Sequence, residues 1–178
     1  MLRKILSYGV LAGLIAGIPL SVFVIAMDEH PPMAWGMVIG YVTMLVALST
    51  VFVAIKRYRD AELGGVIGFW PALGLGLGIS FVAGILYALA WEAAQAFTHM
   101  DFASAYASAL IEQKKAEGVT GEALAKFVAE MDQFKTDYAN PLYRIPMTFT
   151  EIFPVGVLVS LVSAALLRNS RFLASRAA

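Results

Sequence analysis

The chain has 178 residues, no cysteine, and 13 basic against 13 acidic side chains, so its formal net charge is zero. Hydrophobic residues make up 60% of it and charged residues 15%, whereas soluble domains are about 45–50% apolar and about 25% charged. This composition excludes a disordered chain, a nucleic-acid-binding surface and a disulfide-stapled mini-domain. It also leaves too little polar surface to cover a soluble domain. An integral membrane protein remains.

Four apolar stretches are long enough to cross a bilayer, which takes roughly 20 residues. They comprise residues 5–27, 33–55, 66–91 and 145–167. Only the fourth contains a charged residue, Glu151. The sequence therefore predicts an all-α, polytopic membrane protein with four transmembrane helices, in which residues 1–178 form a single integral membrane domain.

The charges between the spans predict their direction. Eight of the 13 basic residues lie on the side of the two termini: Arg3, Lys4, Lys56, Arg57, Arg59, Arg168, Arg171 and Arg176. The segments on the other side carry five basic and ten acidic residues. Because cytoplasmic loops collect Lys and Arg, we expect a bacterial inner-membrane protein with both termini in the cytoplasm. The first span is longer than the apolar region of a signal peptide, so we expect it to be retained.

The segment between the third and fourth spans is the only substantial piece outside the membrane. Apolar residues at helical spacing predict two amphipathic helices, at about 101–116 and 121–139. Gly118 would end the first and Thr120 would cap the second. We expect a helical hairpin over about 99–140 on the outer, periplasmic face. Alternatively, the third and fourth transmembrane helices extend through this segment as long stalks.

Small residues recur four apart in the first and third spans, where they form stripes along one helix face. The glycines of these stripes are Gly9, Gly13, Gly17, Gly68, Gly76 and Gly84. Such stripes let two helix backbones approach closely in lipid. The two spans can pair with each other inside one chain, or they can pack across the interface of a homo-oligomer. We expect a homo-oligomer.

Glu151 is the one ionisable residue inside a span, about six residues or ~9 Å below the outer boundary. Ser21, Tyr41 and Tyr87 lie at comparable depths in the other spans, and Arg144 lies two turns before Glu151, from where it can reach toward it. On one hypothesis these residues line a polar pocket that opens outward, with Glu151 binding a proton or a cation. On the other, Glu151 accepts hydrogen bonds from Tyr41 or Tyr87 and holds the bundle together.

Other polar residues give weaker indications. His30 and His99 lie near carboxylates at the outer interface, but no HExxH-type spacing supports a metal site, so we expect neither metal nor cofactor. Lys56, Arg57 and Arg59 could hold anionic lipid headgroups, although they are more simply determinants of topology. The chain shows no nucleophile–histidine pair and no phosphate-binding loop, so an enzyme is not predicted.

Short sequence patterns link the chain to a known group. They are Ile55 to Asp60, Gly64-Gly65, Gly40-Tyr41, Leu48-Ser49, Phe69, Ala72 to Gly76, Asn140-Pro141, Glu151, Pro154-Val155-Gly156 and Ser160-Leu161. In these patterns and in length the chain resembles the bacterial domain-of-unknown-function family 4199, apart from residues 99–138. The resemblance implies a small four-helix inner-membrane protein and transfers no catalytic residues.

Three functional hypotheses follow from the sequence. The first is a homo-oligomeric inner-membrane protein of unassigned activity, whose hairpin contacts a partner, lipid or a neighbouring subunit. The second is a small channel or transporter with Glu151 in a pore or an outward-facing pocket. The third is an accessory subunit of a larger envelope complex.

Overall fold

The computed structural model describes residues 1–26, 33–98 and 101–174. Over these residues the backbone forms six α-helices and no strand: α1 (Leu2–Ala26), α2 (Met33–Glu62), α3 (Phe69–Thr98), α4 (Phe102–Ala116), α5 (Gly121–Tyr138) and α6 (Pro141–Leu167). Four of them, α1, α2, α3 and α6, are long and apolar enough to cross a membrane. The predicted all-α fold with four membrane spans is confirmed.

The four long helices form a bundle with α3 at its centre. Helix α3 packs most extensively on α1 and α6, while α2 packs on α1 and α6 and more lightly on α3. The middle of the bundle is filled by completely buried side chains, among them Leu48, Leu75, Ile79 and Ile152. Large apolar side chains also cover the outside, as a lipid-facing surface requires.

The glycines of α1 lie against α3 of the same chain. A Cβ atom added at Gly9, Gly13 or Gly17 would lie 2.6 Å from Val82 Cβ, 2.6 Å from Leu86 Cβ and 2.7 Å from Ala90 Cβ, respectively. These distances are shorter than a real Cβ contact, so each glycine is where the two backbones approach most closely. The sequence allowed these glycines either to pair the two helices within one chain or to pack between subunits. In the structure they pair α1 with α3 within one chain.

The glycines of α3 divide between two situations. A Cβ at Gly76 would lie 2.7 Å from Ser160 Oγ, and one at Gly84 would lie 2.7 Å from the ring of Phe149, so both glycines face α6. Gly68 differs from the prediction: it precedes α3, is exposed, and has only Pro71 of its own segment nearby. Because the helix begins one residue later, Gly68 takes no part in helix packing.

Helices α4 and α5 form a hairpin on the end of the bundle where α3 ends and α6 begins. Asp101 caps α4 by accepting a hydrogen bond from Ser104 N at 3.0 Å, and Gly118 turns the chain with φ = +84°. Thr120 occupies the N-cap position of α5, but its side chain makes no cap hydrogen bond. Helix α3 continues to Thr98, seven residues or about two turns beyond the predicted end of its span. Helix α6 likewise begins at Pro141, four residues before the predicted start of its span, so both helices extend into this segment and α4 and α5 occupy the rest of it.

Candidate functional site

An aromatic cluster attaches the hairpin to the end of α3. Trp91 Nε1 donates a hydrogen bond of 2.8 Å to Tyr138 Oη, and the ring of Phe102 packs edge-on against Trp91 with a centroid distance of 5.0 Å. Phe102 also contacts Tyr106 and Tyr138. Burial raises the pKa of Tyr138 to about 12, so its phenol stays neutral. The hairpin is thereby held at a defined place on the bundle.

An ion pair joins α3 to α6 at the same level. Arg144 Nε and Nη2 donate to the two carboxylate oxygens of Glu92 at 2.6 and 2.5 Å, and Nη1 donates to Tyr138 O at 3.1 Å. Both side chains are mostly buried. Arg144 therefore binds Glu92 and does not reach toward Glu151. The planar guanidinium matches a carboxylate on the neighbouring helix, whereas Glu151 lies about 10 Å further along α6.

A pocket of about 550 Å³ opens beside this ion pair, between the ends of α3 and α5 and the starts of α4 and α6. Its polar lining comprises Glu92, Gln95, Asp101, Ser104, Lys135, Tyr138 and Arg144. The Nε2 atom of Gln95 is buried and has no hydrogen-bond partner among the described residues. Interactions with the side chain and the backbone N–H of Ser104 hold the pKa of Asp101 below its ordinary value, so this carboxylate is charged at neutral pH.

Glu151 lies elsewhere, on the outward stripe of α6. The exposed positions of this stripe include Thr150, Glu151, Pro154, Leu158 and Val162. In the part of the chain that the structure describes, no hydrogen bond joins Glu151 to Tyr41 or Tyr87. Glu151 is thus exposed on α6, within electrostatic range of the hydroxyl groups of Tyr87 and Tyr138.

The other residues of the predicted intramembrane site differ in burial and in the helices that they contact. Tyr87 is buried, with 5% of its surface exposed, while Tyr41 is 52% exposed on α2. Ser21 Oγ donates to Ala90 O at 3.4 Å, a contact between α1 and α3.

At the opposite end of the bundle, Arg59 is completely buried. Its guanidinium donates to Asp60 Oδ1 at 2.7 Å and to the carbonyl oxygens of Phe172 and Leu173, each at 2.9 Å. Arg59 therefore differs from the predicted lipid contact, because its donors are directed into the protein. Lys56 pairs with Asp60 at 2.6 Å, and Arg57 is exposed.

The sequence analysis did not predict the pocket, nor the hydrogen bonds from Arg59 to Asp60, Phe172 and Leu173, which we call the Arg59 cage. The sequence nevertheless contains an indication of each. Glu92 directly follows the third predicted span and Arg144 directly precedes the fourth, so antiparallel packing of these two spans would bring the residues together at one end of the bundle. Arg59 follows the second span, on the side where the fourth span ends and its last carbonyl groups need donors.

Metal-ligating side chains do not form a cluster within the described ranges. No group of three or more His, Asp or Glu side chains comes together there. The two weak metal candidates, His30 and His99, lie outside the described residues.

Comparison with known proteins gives a family and no individual relative. No curated protein and no solved structure matches the chain. One family model matches residues 7–169, and its description reads protein of unknown function (DUF4199). Since this match covers all four membrane-spanning helices and the hairpin, the chain belongs to the DUF4199 family, as its sequence patterns predict.

Proposed function

We propose that this chain is a multi-pass protein of the bacterial inner membrane that works as a homo-oligomer, with its subunits meeting on the outward stripe of α6. The observation that carries this proposal is the exposure of Glu151 within a membrane-spanning helix. A charged side chain at the centre of a span costs about 2.5–3.5 kcal/mol on insertion scales, and somewhat less at the depth of Glu151. A protein surface that covers the carboxylate removes this cost.

We expect the surface that covers Glu151 to be the same stripe of α6 in a second copy of the chain. In a two-fold interface the same surface meets itself. Two Glu151 carboxyl groups would then lie together and form a hydrogen bond through one shared proton. The glycines of α1 do not support the oligomer, because they are used against α3 within the chain.

The test is native mass spectrometry of the protein released from mild detergent. We expect the parent to be an oligomer. Glu151→Leu should associate at least about tenfold more weakly, because a leucine side chain is as stable in contact with lipid as in contact with protein. Thr150→Leu is the matched control, since Thr150 is exposed next to Glu151 but uncharged. A monomeric parent would contradict the proposal, as would equal association of the parent and Glu151→Leu.

A channel or transporter is the second candidate, and the position of Glu151 favours one form of it. The interior of the bundle is filled by Leu48, Leu75 and Ile79, so a pathway through one protomer has no room. In a ring of three or more subunits, however, the stripe with Glu151 would line a path between protomers. Glu151→Gln retains the shape of the side chain and removes its charge. We expect this variant to assemble normally and to alter proton or cation flux into liposomes.

The remaining partner hypotheses have their own outcomes. An accessory role in an envelope complex predicts a stable foreign chain in a gentle purification, which would replace the homo-oligomer.

Lys56 and Arg57 are proposed to contact anionic headgroups, at about 1 kcal/mol for each basic residue near the surface. The expected result is retention of anionic lipid by the parent and its loss in the variant with both residues changed to Gln.

A further inference from the structure

The pocket at the base of the hairpin has the chemistry of a binding site. It combines two carboxylates, Glu92 and Asp101, with two cationic groups, Arg144 and Lys135. Glu92 and Arg144 bind each other, and Lys135 pairs with Asp132 at 2.6 Å. Each of these groups keeps capacity for a further hydrogen bond, since a carboxylate has about four acceptor positions and an ammonium has three donors.

Gln95 supplies an independent indication that something binds there. Its Nε2 atom is a buried donor without an acceptor among the described residues, and its side chain lines the pocket. Buried polar groups in proteins are almost always hydrogen-bonded, because a donor removed from water without an acceptor is costly. Because protein atoms enclose Nε2, the Gln95 amide would turn toward the pocket to donate to an oxygen atom of a bound molecule.

The pocket lies at a depth that both membrane lipids and small soluble molecules reach. Glu92 is 23 residues after the start of α3, or about 34 Å along the helix, whereas the hydrocarbon core is about 30 Å thick. Phe97 is 80% exposed and Leu142 is 83% exposed at the same end of the bundle. Large exposed apolar side chains at this level are typical of the boundary between acyl chains and headgroups.

We propose that the pocket binds a zwitterion that carries a phosphate and a primary ammonium group. The phosphate oxygens accept hydrogen bonds from Gln95 Nε2 and from Lys135. The ammonium group lies among the oxygen atoms of Glu92 and Asp101. A balanced set of two anionic and two cationic groups favours such a ligand over a simple anion, which the two carboxylates would repel. The same chemistry occurs in a phosphatidylethanolamine headgroup and in free phosphoethanolamine.

Two binding measurements distinguish these sources. The first is calorimetric titration of phosphoethanolamine into the full chain in nanodiscs made of phosphatidylglycerol alone. The second is native mass spectrometry of the full chain in detergent with added phosphatidylethanolamine or phosphatidylglycerol. Binding in the titration assigns the soluble source, and selective retention of phosphatidylethanolamine without it assigns the lipid headgroup. No binding in either measurement would overturn the proposal, and so would equal retention of the two lipids without binding in the titration.

Two variants connect the binding to this pocket. Gln95→Leu removes the buried donor without changing any charge, and we expect it to weaken binding at least about tenfold. Gln133→Leu is its control, since Gln133 is an exposed glutamine of α5 outside the pocket. Asp101→Asn retains a side chain that caps α4 and removes one carboxylate charge, so it serves if Gln95→Leu does not fold. Binding equal to that of the parent in a folded Gln95→Leu or Asp101→Asn would overturn the proposal.

Discussion

Arg59 shows how one buried cation can organise an end of the bundle. Its guanidinium binds Asp60 and the carbonyl oxygens of Phe172 and Leu173, which lie beyond the end of α6. A lysine has the same charge but presents a single ammonium and cannot bridge these acceptors. We expect Arg59→Lys to lower the free energy of unfolding by about 1–3 kcal/mol, the cost of leaving a buried hydrogen-bonding group without its partner. Denaturant unfolding in micelles would measure it.

The exposed Arg57 provides the control for this prediction. Arg57→Lys should change the unfolding free energy by less than about 0.5 kcal/mol, as surface substitutions usually do. Equal effects of the two substitutions would show that the cage around Arg59 does not stabilise the fold.

Asp101 gives a prediction that depends on pH. Its interactions with Ser104 lower its pKa from the ordinary value of 3.8, so the folded hairpin favours the carboxylate. This contribution is complete above the ordinary pKa and is lost as the pH falls through the lowered one. Asp101→Ala should therefore destabilise α4 by about 1 kcal/mol at neutral pH and by less in acid. Amide exchange at Ser104 measures this, and a difference that persists unchanged in acid would contradict the assignment of the cap.

At the scale of helices, Gly13 is one of the positions where α1 lies closest to α3. A Cβ there would lie 2.6 Å from Leu86 Cβ, so the two helices would have to separate. We expect Gly13→Ala to destabilise the protein by about 1–3 kcal/mol, the usual cost of overpacking. Gly40 of α2 has no atom within 4 Å of an added Cβ, so Gly40→Ala should cause no loss. Unfolding in micelles compares the two, and equal stability would exclude close α1–α3 packing.

The ion pair between α3 and α6 can be measured by a double-mutant cycle. Glu92→Gln and Arg144→Gln should each destabilise the protein, because each leaves a mostly buried partner without its counter-charge. Together they should cost less than the sum of the single changes, with a coupling energy of about 1–3 kcal/mol. Additive effects would show that the contact between Glu92 and Arg144 contributes no coupling energy to stability.

The helices were predictable from the sequence to different degrees. The four spans follow from length and apolarity alone, because a bilayer requires both. The end of α3 does not follow, since Gln95 and Phe97 continue the helix outside the apolar stretch. The sequence also could not predict which helix contacts the α1 glycines, because a stripe of small residues indicates close approach without indicating which helix approaches.

On the scale of the whole molecule, the candidate site depends on tertiary contacts between distant positions. The pocket brings Gln95 and Asp101 next to Lys135 and Arg144, although the hairpin separates them in the sequence. A lone glutamine past the end of a span has no periodicity or motif that marks it. Glu151 was visible in the sequence because a charge inside a span is rare, but only the packing shows which face of α6 it occupies.

The orientation of the molecule in the membrane is the remaining prediction at this scale. Asp60 and Glu62 at the terminal end each pair with a lysine, at 2.6 and 2.5 Å, but orientation follows the number of Lys and Arg residues, to which acidic residues add little. We therefore expect the termini in the cytoplasm and the hairpin outside. Because the chain has no cysteine, a single introduced thiol reports its own side.

Two serines are suited to this measurement, because both are exposed and cysteine is nearly isosteric with serine. Ser108 lies on α4 and Ser170 follows α6. In spheroplasts, a membrane-impermeant maleimide should label Ser108→Cys directly and label Ser170→Cys only after lysis. The reverse pattern would invert the topology and place the pocket on the cytoplasmic side, where it would meet the cytoplasmic leaflet and cytoplasmic solutes. Labelling of both before lysis in sealed spheroplasts would contradict the single membrane crossing by α6 between Ser108 and Ser170.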